Sequence, residues 1–417
     1  MEGRFRKIAV IGAGVSGLGA ARLLGDRYRV TVYEKADRPG GLIRCRNVAG
    51  SLFHLCGGHI FNSHRQEVLD WFWTLFNRTS SFTKADRNSS IVLPDGSFVG
   101  YPIEDHIYQL PEEVQRGCIR DFAARLTQDN AVVAGESFER FLRRMFGETL
   151  YALYFRPYNE KIWRQPLSGV SVDWLDGKLP MPSAEEVFLH NFTRREEGTF
   201  VHRTFWYPKS GGSQYLADTL AQGLDIRYNA GVGRIRRQDG KWLVQEEVYD
   251  LVIYTGNVRE LPQSVEGIDL SGFEHPLSDL SFHGTTSVFC EIDPVPYTWV
   301  YLPSQEYDAH RIICTGNFSA GNNAPGKHTA TVEFTGFAER KDIEEQLLRM
   351  PLHPRFLDSQ YTPCSYPVQH RQTRELIRSL KKTLQPYGFY LTGRFADWEY
   401  YNMDAALGAA MDLSALL

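Results

Sequence analysis

Gly12, Gly14 and Gly17 form a G-x-G-x-x-G set between an apolar run, KIAVI at 7–11, and a helical run, VSGLGAARLLG at 15–25. Glycine there permits a tight turn and lets backbone N–H groups approach a pyrophosphate at a helix N-terminus. Alone the motif is weak, because an ordinary strand–helix turn can carry it. Its surroundings strengthen it. Glu34 closes the alternating run RVTVYE, 22 residues past Gly12, where a carboxylate suits the hydroxyls of a ribose. Arg38 and the pair Gly40–Gly41 follow at once, giving E-x-x-x-R-x-G-G. A nicotinamide site does not require that second glycine turn.

Such glycines need a strand before them and a helix after, and the periodicities supply both. Residues 7–11 and 29–34 read as buried strands around a helix over 15–25. Helices are expected over 66–77, 110–126 and 136–156, the last capped by Ser137. Residues 205–256 return to α/β character, with a helix from about 213, strands near 225, 232 and 242, and the strand DLVIYTG. Residues 285–335 are strand-rich (TTSVFCEI, YTWVYL, RIICTGN, ATVEFTG). Helices are expected near 339–350 and 370–384, then the strand FYLTG at 389–393 and a last helix from about 403. The pattern predicts an α/β fold: a discontinuous Rossmann-like nucleotide-binding domain from 1–62, 205–265 and 385–417, a mostly helical domain over 105–200, and an antiparallel β-sheet domain from 63–104 and 266–384.

Composition removes several function classes. The 46 basic and 50 acidic side chains leave a net charge of −4, which argues against nucleic acid as a partner and against a polybasic membrane binder. No apolar run approaches the roughly 18 residues of a membrane span, and Met1–Lys7 carry no cleavage pattern. The six cysteines, at 45, 56, 118, 290, 314 and 364, include no C-x-x-C, which reads as a reduced, cytoplasmic protein. No H-E-x-x-H or other metal-ligand spacing occurs, so no metal site is expected. No motif specifies an oligomeric state. Aromatic residues at 13% suit either a large core or a ring-lined pocket.

The glycine–glutamate–glycine opening resembles that of flavoproteins of the amine-oxidase and glutathione-reductase-like superfamily, which implies FAD. Two distant segments extend the resemblance. LDIRYNAGVGRI (224–235) resembles the strand pair whose backbone near Val232 holds adenine. GFYLTGRFADWEYYNMDAALGAAM (388–411) resembles the C-terminal flavin motif, in which a glycine–arginine turn (Gly393, Arg394) and a helix N-terminus (Asn402, Met403, Asp404) face the cofactor. A positive helix end near flavin N1 and O2 stabilises the anionic reduced ring.

Further segments resemble one family, the UDP-galactopyranose mutases, and its eukaryotic branch more than the bacterial one. Gly57-Gly58-His59 resembles the segment against the flavin near N5, and Tyr101-Pro102 the turn whose tyrosine touches the nucleotide. Pro157–Trp163 (PYNEKIW) resembles the uracil-sandwiching segment, and 174–180 (WLDGKLP) the mobile loop that brings a cation, here Lys178. Trp299–Pro303 with His310-Arg311 resembles the strand pair supplying Tyr301 and a second cation, Arg311. Tyr366 and Tyr400 match two further diphosphate-binding tyrosines. The chemistry is coherent: Arg311 and Lys178 offer charge-assisted hydrogen bonds of roughly 1.5–3 kcal/mol each, and Tyr158 or Trp163 can stack on a base for about 1–3 kcal/mol. Two positions depart from the family. Lys178 replaces an arginine, losing its bidentate fork, and Glu104 stands where glutamine is expected.

The resemblance implies an enzyme: a flavin-dependent isomerase that interconverts pyranose and furanose forms of a nucleoside-diphosphate hexose such as UDP-galactose. Reduced FAD would act through N5 as nucleophile, NAD(P)H is the candidate reductant, and His59, Arg311 and Lys178 are the candidate catalytic side chains. The implied setting is cell-surface polysaccharide biosynthesis. Two alternatives stay open. An oxidase or desaturase of the amine-oxidase type would transfer hydride to FAD, and a non-catalytic protein would only bind flavin or nucleotide sugar.

Overall fold

The computed structural model describes residues 6–126, 133, 135–172, 175, 181–194 and 204–417. Lys178 lies outside the described residues.

A five-stranded parallel sheet runs in the order Phe389–Leu391, Leu251–Tyr254, Lys7–Ile11, Arg29–Tyr33, Asp225–Arg227. It draws strands from the beginning, middle and end of the chain. Ile8, Val10 and Ile253 point to one face, where they pack with Leu18, Ala21 and Leu407 of two helices. Ala9, Ile11, Val252 and Tyr254 point to the other, against Trp242 and Tyr249 of a four-stranded sheet. Burial on both faces is what a parallel sheet requires. The first helix, Val15–Leu24, and the last, Met403–Leu416, pack side by side. Gly19 permits this approach: a Cβ there would lie 2.9 Å from Leu407 Cδ2.

A seven-stranded sheet has the order Arg355–Pro367, Phe282–Glu291, Thr329–Thr335, Ala309–Ile313, Trp299–Tyr301, Ser89–Val92, Phe98–Gly100. Its pairings are antiparallel except that of Trp299–Tyr301 with Ser89–Val92. Val288, Val300, Ile312 and Val332 bury one face under the helix Arg340–Leu347. On the opposite face the register aligns Tyr301 with Arg311 and Arg311 with Glu333. Three strands thus place one row of polar side chains in reach of one another.

The helical segments Glu112–Ala123, Phe138–Leu150, Arg156–Trp163 and Ala184–Thr193 share a third core around Phe141, Phe146 and Tyr154. No described helix is long and apolar enough to cross a membrane.

The expected helix over 136–156 begins as read: Ser137 caps it by accepting from the Arg140 N–H at 3.3 Å. It does not stay regular. Gly147 breaks it with φ +78°, where a Cβ would fall 2.4 Å from that of Asp121. A π-helical turn at Tyr151–Phe155 then joins it to Arg156–Trp163. The strand expected near 232 is instead Ile235–Gln238, and Val232 lies in the connection before it. The strand Arg355–Pro367, thirteen residues long, escaped the reading altogether.

The first turn yields a stability test. A Cβ on Gly17 would sit 1.9 Å from the Gly12 carbonyl oxygen, whereas one on Gly14 meets no atom within 4 Å. Urea denaturation should show Gly17→Ala losing about 3 kcal/mol or more through overpacking, and Gly14→Ala losing only about 1 kcal/mol, the scale of replacing a glycine N-cap. Equal losses would contradict the turn geometry.

Candidate functional site

The dinucleotide end is built from backbone. Gly12 turns with φ +107°, and the Gly40 N–H donates to the Ala13 carbonyl at 2.8 Å, drawing the two glycine turns together. A Cβ on Gly41 would come 3.2 Å from the Gly14 Cα. Glu34, 7% exposed, accepts from the N–H groups of Ala13 at 2.8 Å and Ala36 at 2.9 Å. Each carboxylate oxygen is anchored and retains a lone pair for a hydroxyl donor. Arg38 Nη2 donates to the Cys45 carbonyl at 2.7 Å, and half-buried Val232 packs against the core shared by the parallel and four-stranded sheets. The open space over Gly14, the N-terminus of Val15–Leu24 and the anchored carboxylate together fit a dinucleotide.

At the other end, Gly393 turns with φ +113° against Ser16, and its N–H donates to Asp397 Oδ2 at 3.0 Å. Arg394 Nε donates to the Tyr401 carbonyl and Nη1 to that of Ser365, both at 3.0 Å. Its guanidinium lies 5.0 Å from the centre of the Tyr400 ring. Asn402 and buried Met403 open the last helix. This helix end and turn supply the positive surroundings that a flavin ring would use.

Between these ends, side chains from distant segments meet on Glu333, a residue the sequence reading did not single out. Glu333 has no exposed surface. Its Oε1 accepts from the Gly57 N–H at 2.7 Å and its Oε2 from Arg311 Nε at 2.5 Å, with His310 Nε2 3.6 Å away. Burial pushes the Glu333 carboxyl up, but the Arg311 charge outweighs it and holds the group below the usual carboxylate range. Despite its own burial, Arg311 is held charged by the same pairing. Arg311 Nη2 donates to the Tyr366 hydroxyl at 2.7 Å, and the Tyr366 and Tyr400 rings stack at 5.4 Å. Tyr301 lies 4.8 Å from Tyr101 and 5.3 Å from Tyr158, ring to ring. A continuous wall therefore runs from Arg394 through Tyr400, Tyr366, Arg311 and Tyr301 to Tyr101 and Tyr158.

The Gly57–His59 turn is held from below. A Cβ on Gly58 would strike Ile313 at 2.8 Å. The His59 N–H donates to His54 Nδ1 at 3.1 Å, and His59 Nε2 donates to the Leu42 carbonyl at 3.0 Å. That makes Nε2 the protonated nitrogen of His54, which donates to the Tyr207 hydroxyl at 2.7 Å. Burial, then the Arg394 charge, pushes His59 down to about 4, and burial pushes His54 down to about 3. Both rings are neutral at pH 7. Cys56, pushed up to about 12 by burial, is an inert thiol.

Not every candidate joins the wall. Trp163 is 4% exposed within the helical core, and its carbonyl accepts from His283 Nε2 at 2.7 Å. Glu104 is 2% exposed in the turn after Pro102, where its carbonyl accepts from Asn191 Nδ2 at 2.8 Å. Arg87 is a second residue the sequence reading missed. It donates to the Tyr301 hydroxyl at 2.5 Å and lies over the Trp299 ring at 4.8 Å and the Tyr101 ring at 5.7 Å. A glutamate inside the apolar strand ATVEFTG was the available signal for Glu333, since a buried carboxylate demands a partner. Arg87, in a polar stretch, gave none.

The family described as flavin containing amine oxidoreductase matches residues 15–412. The chain is 20% identical over 417 residues to a UDP-galactopyranose mutase of Mycoplasma genitalium, covering 96% of this chain and 92% of that protein. It is 23% identical over 264 residues to a dTDP-fucopyranose mutase of Escherichia coli, covering 60% and 63%. Among solved structures, that of a reduced UDP-galactopyranose mutase is similar with a TM-score of 0.86 at 23% identity, covering 99% of this chain and 96% of the other. A putative protoporphyrinogen oxidase from Exiguobacterium is similar with a TM-score of 0.76 at 16% identity, covering 99% and 98%. These likenesses show a shared fold.

Glu333→Gln keeps the side-chain shape and removes the charge. It should cost about 3–5 kcal/mol at neutral pH, the scale of a broken buried pair. Because the folded carboxyl sits below its ordinary value, its contribution is complete above about pH 4.3 and is lost as pH falls further. Denaturant melts from about pH 7 down to about pH 3 should therefore show the parent losing its advantage over the variant as acid is added. Parallel curves would count against the pairing.

Proposed function

The chain belongs to the flavin containing amine oxidoreductase family, and from that premise we propose that it is a flavin-dependent nucleotide-sugar mutase. It binds FAD and interconverts the pyranose and furanose forms of a nucleoside-diphosphate hexose resembling UDP-galactose. The observation that carries this reading is the buried Arg311–Glu333 pair with its tyrosine hydroxyls, set beside the Gly57–His59 turn. An apolar or amine substrate needs no guanidinium there. The named relatives, mutases of UDP-galactopyranose and dTDP-fucopyranose, support the same substrate class.

In this reading Gly12, Gly14, Gly17, Glu34, Arg38, Gly40, Gly41 and Val232 hold the dinucleotide, and Gly57, Gly58, Gly393, Arg394, Asn402 and Met403 surround the ring. When bound, the flavin supplies a ring nitrogen that is nucleophilic when reduced and accepts hydride when oxidised. The protein's task is to retain the diphosphate while the sugar is detached, then return it. Arg311 holds the diphosphate through its Nη groups while Glu333 fixes its orientation through Nε. Tyr366, Tyr400 and Tyr301 donate hydroxyl protons without adding charge, and Tyr101 and Tyr158 offer ring faces to the base. His59, neutral, shapes the turn under the flavin. Lys178 is the second cation of this scheme.

An oxidase remains the competing reading, and the family also supports it. The two demand opposite flavin states. With UDP-galactopyranose and dithionite in the absence of oxygen, a mutase yields the furanose form with no net redox change. In air with oxidised flavin it yields neither that product nor hydrogen peroxide. Peroxide or a dehydrogenated sugar in air, with nothing under dithionite, would reverse the assignment. Arg311→Lys keeps a charge against Glu333 but loses the fork. It should weaken UDP binding by about 1.5–3 kcal/mol in calorimetry while the flavin content of the purified protein stays unchanged. Undiminished binding would remove Arg311 from the diphosphate.

A further inference from the structure

Lys161 lies one turn past Tyr158 on the helix Arg156–Trp163. Its Nζ donates to the carbonyls of Leu302 at 2.7 Å and Ala309 at 3.1 Å, and to that of Ser304. These carbonyls flank the connection between Trp299–Tyr301 and Ala309–Ile313, the strands that carry Tyr301 and Arg311. Backbone pairing of the Leu302 N–H with the His310 carbonyl at 2.9 Å closes the same connection. An ammonium has three donors and no acceptor, so three carbonyls satisfy it completely. A neutral amine has two donors and a lone pair. On losing its proton the group forfeits one bond and turns its lone pair on a carbonyl oxygen.

The ammonium is thus the tie between the Tyr158 helix and the Tyr301–Arg311 hairpin. Tyr158 meets Tyr301 edge-on at 5.3 Å and His310 at 6.4 Å, and that spacing depends on how closely helix and hairpin are drawn together. Burial pushes Lys161 down to about 7, and Asp308 pulls the other way. The other charged and titratable groups on the elements packed there are accounted for. On its own helix, Glu160 pairs with Arg156. On the connection stand Glu306 and Tyr307, and Asp308 is held by Gln346 of the covering helix at 2.8 Å. His310 is pushed down by its own burial, and Arg311 and Glu333 pair with each other.

We propose that Lys161 is a positioning residue of the nucleotide wall: its ammonium sets the spacing between Tyr158 and the Tyr301–Arg311 hairpin, and loss of its proton releases the hairpin and weakens nucleoside-diphosphate binding. The second half rests on the reading of this wall as a nucleotide site. Two measurements on the oxidised holoprotein separate the halves. Hydrogen exchange of peptides spanning 302–311, corrected for intrinsic rate, reads the tie without any ligand. From about pH 6 to about pH 8.5, protection there should fall roughly tenfold in the parent, the scale of one charge-assisted bond. It should stay constant in Lys161→Arg, which is charged throughout. Calorimetry with UDP-galactose, whose diphosphate does not titrate in this range, should show affinity falling about tenfold in step in the parent and remaining flat in Lys161→Arg. Lys161→Met should be unprotected and weak-binding at every pH. If that variant does not fold, the parent's own pH series and Lys161→Arg still decide. Constant protection in the parent overturns the tie. Falling protection with unchanged affinity overturns its link to binding. No UDP-galactose binding at any pH overturns the nucleotide reading of the wall while the exchange data still judge Lys161.

Discussion

A carboxylate with no exposed surface stands in the middle of a seven-stranded sheet, and its charge must be answered locally. Removing such an ion from water costs several kcal/mol even after relaxation. Glu333 offsets this with the Arg311 guanidinium, the Gly57 N–H and the nearby His310 ring. The partners come from two stretches of chain, the turn at Gly57 and the strand Ala309–Ile313. The pairing therefore fixes the register of Thr329–Thr335 against Ala309–Ile313, because a slip of one residue would turn Glu333 into the apolar face beneath. It also fixes where the glycine turn at 57–58 lies over the sheet. The same contact leaves Arg311 Nη2 on the tyrosine side, directed by a partner that is itself buried and bonded to the Gly57 N–H.

Around that pair the tyrosines and histidines are kept neutral. Burial raises the hydroxyls of Tyr158 and Tyr366 far above their ordinary range and lowers His54, His59 and His310. Arg394 donates to the carbonyls of Ser365 and Tyr401 through Nε, Nη1 and Nη2, contacts that hold it without cancelling its charge. With Arg311 balanced by Glu333, the wall's positive excess lies at its ends, at Arg394 beside Tyr400 and at Arg87 beside Tyr301 and Tyr101, with neutral hydroxyl donors between. Such a surface suits an anion that must be held and then handed back, since neutral donors grip less tightly than a second full charge.

The parts legible in the sequence were those whose chemistry is local. The Gly12–Glu34 turn and the strand–helix alternation around it declare themselves within a few tens of residues, because a dinucleotide-type turn demands glycine at fixed offsets; the Gly393–Arg394 turn was legible only through family resemblance. Tyr366, Tyr400, Tyr301 and Arg311 were legible as a set only through family resemblance; the seven-stranded sheet carries Tyr366, Tyr301 and Arg311, and Tyr400 stacks on Tyr366. What escaped depends on distant neighbours. Glu333 looks like a blemish in an apolar strand until Arg311 is placed beside it. Arg355–Pro367 is a half-exposed strand with no apolar alternation to reveal it. The π-helical turn at Tyr151–Phe155 follows from packing and has no local signature. Trp163, a candidate stacking surface, is buried in the same helical core as Tyr158.

The order of the parallel sheet also bears on how the protein is made. The strand Lys7–Ile11 emerges from the ribosome early, but its neighbour Leu251–Tyr254 and the outer strand Phe389–Leu391 come far later, as does the helix Met403–Leu416 that covers Val15–Leu24. At elongation rates of about 5–20 residues per second the first strand waits on the order of 20–80 s for the last. The glycine turn is translated well before the elements that complete its surroundings. Until those late segments are in place the turn at Gly12–Gly17 lacks its neighbours, and the apolar face of the first helix must be shielded by something other than its final partner.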